Sequence, residues 1–207
     1  MEKDIIYSHS IDACELEIKK SEILKYMGQR CEDERIDRVI VSLVGDAKKS
    51  AKPKACFVLK DLRIEGEKIH IDDMEIKSKS LTKNLSGCEM AILIVFTLGT
   101  DSDRFIESNL TSSSVQGVCA DAISTALCEE YADRLCGELG EYFKKEGFTL
   151  MPRFSAGYGD FKLDYQKDFI RCTDAMKRCG VSVTDALMLI PTKSVSAIIG
   201  LKGECNI

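Results

Sequence analysis

The spacing of apolar residues changes repeatedly along the chain, and each change marks a new kind of element. In residues 21–30 (SEILKYMGQR), Ile23, Leu24 and Met27 recur at helical spacing behind a serine N-cap, with Gly28 as a stop, which predicts a short helix. After the charged stretch CEDERIDR, the segment VIVSLVG fits either a helix or a strand, because periodicity alone does not separate the two. Residues 55–77 alternate apolar and polar positions around Glu65-Gly66-Glu67, the pattern of a β-hairpin or meander. Residues 89–99 (EMAILIVFTLG) are continuously apolar and rich in Ile and Val, as in a central strand covered on both faces.

Helical periodicity then returns. Thr100 and Asp101 offer a cap, and residues 115–145 are the most helix-favouring part of the chain. Val118, Ala122, Leu127, Tyr131, Leu135 and Leu139 mark an apolar stripe there, Glu129, Glu130, Asp133 and Arg134 fall largely outside it, and Gly147 supplies the stop. A loop, MPRFSAGYGDFKLDYQ, leads to a second helix over residues 164–178 that ends at Gly180. The close, VSVTDALMLIPTKSVSAIIGL, reads as two strands separated by Pro191-Thr192-Lys193, with Ser194 and Ser196 alternating along an edge strand. This order predicts an α+β fold: a single domain, residues 1–207, with a mainly antiparallel twisted sheet and long flanking helices. Internal repeats, low-complexity tracts and a linker are not evident.

Composition narrows the function more than the fold. With 44% of its 207 residues hydrophobic, the chain suffices for one sizeable core. Its 34 acids outnumber its 29 Lys and Arg, which are scattered, so a nucleic-acid partner is not expected. The N-terminal segment lacks the apolar core of a signal peptide, and nothing approaches the roughly 18 apolar residues of a membrane span, so a cytoplasmic location is expected. Ten cysteines without a CxxC pair read as reduced thiols; Cys128 with Cys136, and Cys172 with Cys179, have the spacing of buried helical stripes. With only His9 and His70 present, a metal site or a histidine-activated nucleophile is not expected either.

The most unusual chemistry lies in the loop after the long helix: Arg153, then Ser155-Ala156-Gly157, then Tyr158, Gly159 and Asp160. Arginine can hold a carboxylate through two nitrogens, and glycines let the backbone approach a ligand closely. The same residues also suit a tight turn whose Arg pairs with a nearby Glu and whose Tyr packs on the core.

The run Arg153-Phe-Ser-Ala-Gly157-Tyr158 resembles the Arg-x-x-x-Gly-Tyr signature of the activation domain of cobalamin-dependent methionine synthase. That family's other landmarks follow in order: an acidic long helix before the signature, Gly180-Val181-Ser182-Val183-Thr184 and Met188 to Pro191 after it, then Ser194-Val195-Ser196. The similarity covers roughly residues 121–200, and the first hundred residues match loosely. It implies a site for S-adenosylmethionine, whose methyl group remethylates cobalamin after the cobalt has been oxidised and re-reduced. Arg153 would bind the ligand carboxylate, the backbone near Ser155 and at Ile199 would contact the adenosyl part, and Gly157 and Tyr158 would complete the pocket, with Tyr158 facing the corrin. Glu129 aligns with a family glutamate that touches the ligand, and Glu130 competes for that role. No catalytic acid or base is implied.

The chain departs from the family at several points. The family's N-terminal aspartate, with its Asp-Trp and Phe-Phe surroundings, has no counterpart, since the chain has no Trp. Aromatics after Ser-Val-Ser are replaced by Ala197-Ile198-Ile199-Gly200. Neither histidine sits in the Asp-x-His-x-x-Gly motif that places an imidazole under cobalt, and each substrate barrel would need about 250 residues. The resemblance therefore implies a stand-alone activation subunit. Cobalamin would be carried by a partner, either a cobalamin-binding methionine synthase subunit or another corrinoid protein, with an electron donor of the flavodoxin or ferredoxin kind. Two alternatives stand beside it: a non-catalytic docking partner of a corrinoid methyltransferase that has lost the ligand, and an unrelated enzyme using Cys128 or Asp160 as its reactive group.

Overall fold

The apolar run forms β6 (Met90–Thr97), the middle strand of a five-stranded antiparallel sheet in a computed structural model that describes residues 1–28 and 33–203. The sheet order is β1 (Ile6–Ser10), β2 (Lys54–Asp61), β6, β10 (Ser194–Gly203), β7 (Phe148–Leu150). Successive side chains of β6 leave by opposite faces, and both faces are covered, which is why the run has no polar alternation. Ile92, Ile94 and Phe96 pack under the helices, while Ala91, Leu93 and Val95 meet the opposite layer.

The helical layer consists of α1 (Lys20–Tyr26), α2 (Glu34–Ser50), α4 (Thr100–Ser112) and the 32-residue α5 (Ser114–Lys145). The ambiguous VIVSLVG segment is helical, inside α2, where Ile40, Leu43 and Ala47 form the buried stripe. Only the extended Ser113 separates α4 from α5, and the two cross where a Cβ on Gly117 would lie 2.7 Å from the Leu110 Cα. A small residue is required there. Val118, assigned by spacing to the apolar stripe, is 50% exposed, whereas Leu127, Tyr131, Leu135 and Leu139 are buried. The expected caps differ too: α1 starts behind Lys19 and α4 behind Gly99, both without a side-chain cap bond. Gly28, the expected stop of the first helix, follows its end in a left-handed conformation (φ 69°), and Gln29-Arg30 and Cys31-Glu32 after it lie outside the described residues.

The opposite layer holds a small antiparallel sheet, β3 (Arg63–Glu65), β4 (Lys68–Ile71) and β5 (Met74–Lys77), followed by α3 (Lys79–Asn84). The meander read in residues 55–77 is thus divided between two sheets, with its turn at Gly66 (φ 63°). The predicted helix over residues 164–178 is broken into a 3-10 turn (Leu163–Tyr165), α6 (Gln166–Cys172) and α7 (Ala175–Arg178). Asp174 between them takes a left-handed conformation (φ 50°), which a continuous helix excludes. The first of the two closing strands does not join the main sheet. It folds into a hairpin, β8 (Ser182–Val183) against β9 (Leu189–Ile190), and only β10 crosses the molecule. Among the described residues, no helix is long and apolar enough to cross a membrane.

Candidate functional site

The site forms where strand pairing beside β10 stops. The chain leaving β7 still follows β10 for a few residues: Met151 N–H donates to the Gly200 carbonyl (2.8 Å), and Phe154 and Ile198 exchange two bonds of 2.9 Å. After Phe154 it turns away. Ser155 accepts from Tyr158 N–H (3.3 Å) and Gly157 N–H donates to the Phe161 carbonyl (2.7 Å), closing a turn seated on Phe154, Phe161 and Phe169. Gly159 lies so close to α3 that a Cβ would stand 2.7 Å from the Ser80 hydroxyl. Asp160 clamps the same spot, accepting from Ser78 Oγ (2.6 Å) and from the backbone N–H groups of Lys79 (2.7 Å) and Ser80 (3.0 Å).

The gap left between this loop, α5, the β8–β9 hairpin and β10 is a cavity of about 910 Å³, within the range of small-molecule sites. Helical spacing brings Glu129 and Asp133 of α5 onto one wall, four residues apart. Arg153 meets both: its Nη2 donates to Glu129 Oε2 (3.1 Å) and to Asp133 Oδ1 (2.6 Å). Its guanidinium lies 5.8 Å from the centre of the Phe96 ring. Both carboxylates take the same nitrogen, which among the described residues leaves Nε and Nη1 to face other acceptors. Burial works against this cation, while Cys136, Glu129 and Asp133 work for it, and the balance holds its pKa above that of a free arginine.

The strand register shows which backbone groups are free. In an antiparallel ladder, successive residues send their N–H and C=O to opposite sides. Ile198 bonds to Phe154, so Ile199 faces β6, where it pairs with Ile92. Ile199 therefore borders the cavity with its side chain, and the backbone contact expected there is already used by the sheet. Ser196, two residues before Ile198, sends its N–H and C=O towards the side the loop has vacated. β10 is an interior strand, not the edge strand expected, yet β7 covers only Leu201 to Gly203, so at Ser194 and Ser196 it borders the cavity.

Arg153, Ser155, Tyr158, Glu129 and Ile199 all line the cavity. Gly157 is not in its wall; at φ 95°, with a Cβ position 3.0 Å from Leu163 Cδ1, it shapes the turn. Glu130 is not in the wall either. Tyr158 is 66% exposed at the rim, resting edge-on against Phe154 (6.3 Å). The alternative reading of the loop is thus half met: Arg153 pairs with a glutamate, but Tyr158 does not pack in the core.

Among the wall residues that sequence reading missed, Asp133 and Gln166 carry the polar chemistry. Asp133 falls outside the apolar stripe of its helix, and its i,i+4 relation to Glu129 is the signal that could have found it. Gln166 is buried, donates from Nε2 to the Leu187 carbonyl (2.8 Å) and accepts from the Ser196 hydroxyl (3.3 Å). It ties α6, the hairpin and β10 together beside the cavity. The thiols are not activated: burial pushes Cys136 up to about 11 and Cys128 up to about 12. Asp160, bonded first to Ser78 and then to two amides, has its pKa held well below the usual carboxylate range. Neither Cys128 nor Asp160 has the setting of a reactive group, and among the described residues no cluster of His, Cys, Asp and Glu could hold a metal.

No family model matches the sequence, and no curated protein matches it. Structure comparison is decisive where sequence is not: over 99% of this chain and 81% of the other, the fold superimposes on the MetH reactivation domain bound to AdoHcy with a TM-score of 0.73. The chain has the reactivation-domain fold. Sequence identity is 13%, so the likeness is one of architecture. In this chain the cavity beside Arg153 is built from residues of α5, the loop, the hairpin and β10.

Proposed function

We propose that the cavity binds S-adenosylmethionine, and that the chain is a reactivation subunit presenting the ligand's methyl group to a reduced corrinoid carried by a separate protein. The observation that carries this reading is the guanidinium of Arg153 beside two carboxylates in one wall of a small-molecule cavity. The free edge of Arg153 suits the ligand carboxylate, and Glu129 and Asp133 suit its ammonium and sulfonium groups. Ser196 offers a backbone donor and acceptor to a purine edge, and Tyr158 stands exposed at the mouth, where a corrin face would arrive.

When bound, a reduced corrinoid supplies a strong nucleophile and the sulfonium is already a good leaving group, so the chain needs to bind and orient and has no proton to move. Cys136 in the wall and Cys128 beside it, both pushed up by burial, fit that task. The partner would be a cobalamin-binding methionine synthase subunit or another corrinoid protein, with a flavodoxin-like or ferredoxin-like donor reducing the cobalt. The missing N-terminal aspartate of the family favours one further reading, a docking partner that no longer binds ligand. Titration calorimetry separates the two. S-adenosylmethionine binds the intact protein, and Arg153→Ala weakens binding by roughly tenfold or more, the size of one lost charge-assisted hydrogen bond. Absent binding, or affinity unchanged in a folded Arg153→Ala variant, counts against the ligand reading and leaves the docking role.

A further inference from the structure

We infer that the cavity selects its ligand by net charge, with Asp133 as the specificity-determining residue that favours the sulfonium ligand over its demethylated thioether. The inference rests on the ligand reading above and adds to it a discrimination between two ligands of nearly the same shape.

Charge counting carries it. Among the described residues of the wall, the ionised groups are Glu129, Asp133 and Arg153, two negative and one positive. Cations just outside are already matched: Lys193 pairs with Asp121 (2.7 Å), and Lys25 of α1, whose ammonium feels the Glu129 charge, pairs with Glu22 (3.3 Å). An amino-acid head, ammonium plus carboxylate, needs one partner of each sign and takes Arg153 with one acid. The second acid is left over. S-adenosylmethionine carries one surplus positive charge, on sulfur, and S-adenosylhomocysteine carries none. The surplus acid therefore has a counterpart in the first ligand and none in the second, where it must go on sharing Arg153.

Asp133 is the acid to assign to this role. It makes the shorter bond to Arg153, 2.6 Å against 3.1 Å for Glu129, and it is the more open of the two, with its side chain 70% exposed against 37%. Such a group can turn from Arg153 to a ligand cation without being buried unpaired. It also sets the size of the effect: for a charge pair this exposed, in a medium closer to water than to dry protein, the preference is roughly three- to tenfold. Loss of the methyl group cancels the ligand's surplus charge, so the same device loosens the spent ligand after transfer.

The test is parallel calorimetric titration of the full chain with S-adenosylmethionine and S-adenosylhomocysteine, at low and high salt, for the wild type, Asp133→Asn and Glu130→Gln. The wild type prefers S-adenosylmethionine by roughly three- to tenfold, and the ratio narrows at high salt because the interaction is screened. Asp133→Asn brings the ratio close to one, whereas Glu130→Gln, outside the wall, keeps it. Using the ratio removes any change in Arg153 that affects both ligands equally. Equal affinities in the wild type, or an unchanged ratio in Asp133→Asn, overturn the charge inference while leaving the ligand reading intact. Failure of both ligands to bind overturns both.

Discussion

Replacing Gln166 by leucine tests whether the cavity wall depends on one buried amide. The side chain joins three segments, donating to the Leu187 carbonyl at 2.8 Å and accepting from the Ser196 hydroxyl at 3.3 Å. Leucine has nearly the same volume, so little is lost to an empty cavity, and the change isolates the polar contacts. Orphaning a buried polar group costs about 1–3 kcal/mol. The Leu187 carbonyl belongs to a half-buried residue and the Ser196 bond is long, so each loss falls at the lower end, and together they come to roughly 2 kcal/mol. For a chain of this length that lowers the melting temperature by about 4–8 °C.

A second consequence separates this account from simple destabilisation. Leu187 sits at φ 62°, a left-handed conformation that non-glycine residues hold only when their surroundings fix it. Without the Gln166 bond the turn relaxes, and Leu189, which lines the cavity, loses its seat. On the ligand reading proposed above, binding of S-adenosylmethionine should therefore weaken even at temperatures where the variant is fully folded. Thermal melts followed by circular dichroism, with calorimetry well below the transition, measure the two effects. A variant that melts within about 1 °C of the wild type and binds equally well would show that Gln166 is a bystander.

Two further outcomes probe the supports of the site. Gly200→Ala puts a Cβ 2.6 Å from the Cys88 sulfur and 2.7 Å from Leu85 Cδ2, both in the core, so unfolding should need less urea, by about 1–3 kcal/mol at unchanged slope; equal or greater stability would show that the strand has room to shift. Asp160→Asn should matter only while Asp160 is ionised. Its folded pKa lies below the unfolded value of about 3.9, so its contribution is complete above that pH and is lost as the pH falls towards the folded pKa. The urea midpoints of wild type and variant should differ steadily from about pH 7 to 5 and begin to converge only below about pH 4, closing as the pH nears the folded pKa, and a gap that does not narrow over that fall would mean the carboxylate charge is not what holds α3.

What the sequence revealed follows from where its information is local. The apolar run of β6 and the periodicity of α5 are each set by neighbouring residues, and both were legible. β1 and β7 were not, because Ile6–Ser10 and Phe148–Leu150 are short and half polar and become strands only through partners contributed by β2 and β10. The break between α6 and α7 carries no Gly or Pro, and Thr173 and Asp174 interrupt the helix through the hydroxyl bond to the Phe169 carbonyl and a left-handed turn. At the site, Arg153, Tyr158 and Glu129 were reached through a family signature. Gln166 was out of reach, since its partners lie 21 and 30 residues away.

Gly157 shows how a signature residue can be necessary to a site without touching its contents. Antiparallel pairing with β10 is established at Phe154, and by register the next pairing position, Ala156, would face Ser196 and cover its N–H and C=O. Gly157 prevents this. Its φ of 95° bends the chain back on Phe161, and the missing Cβ lets it pass Leu163. That departure has three effects: it opens the space between loop and strand, it leaves the Ser196 backbone facing that space, and it delivers Tyr158 outward to the rim. The spacing from Arg153 to Gly157 and Tyr158 is then a statement about geometry. The cation must precede the last strand pair so that the sheet fixes it, and the glycine must follow so that the sheet ends. A side chain at 157 would strain this turn and press on Leu163, weakening the bend that holds the cavity open while every residue in its wall remained unchanged.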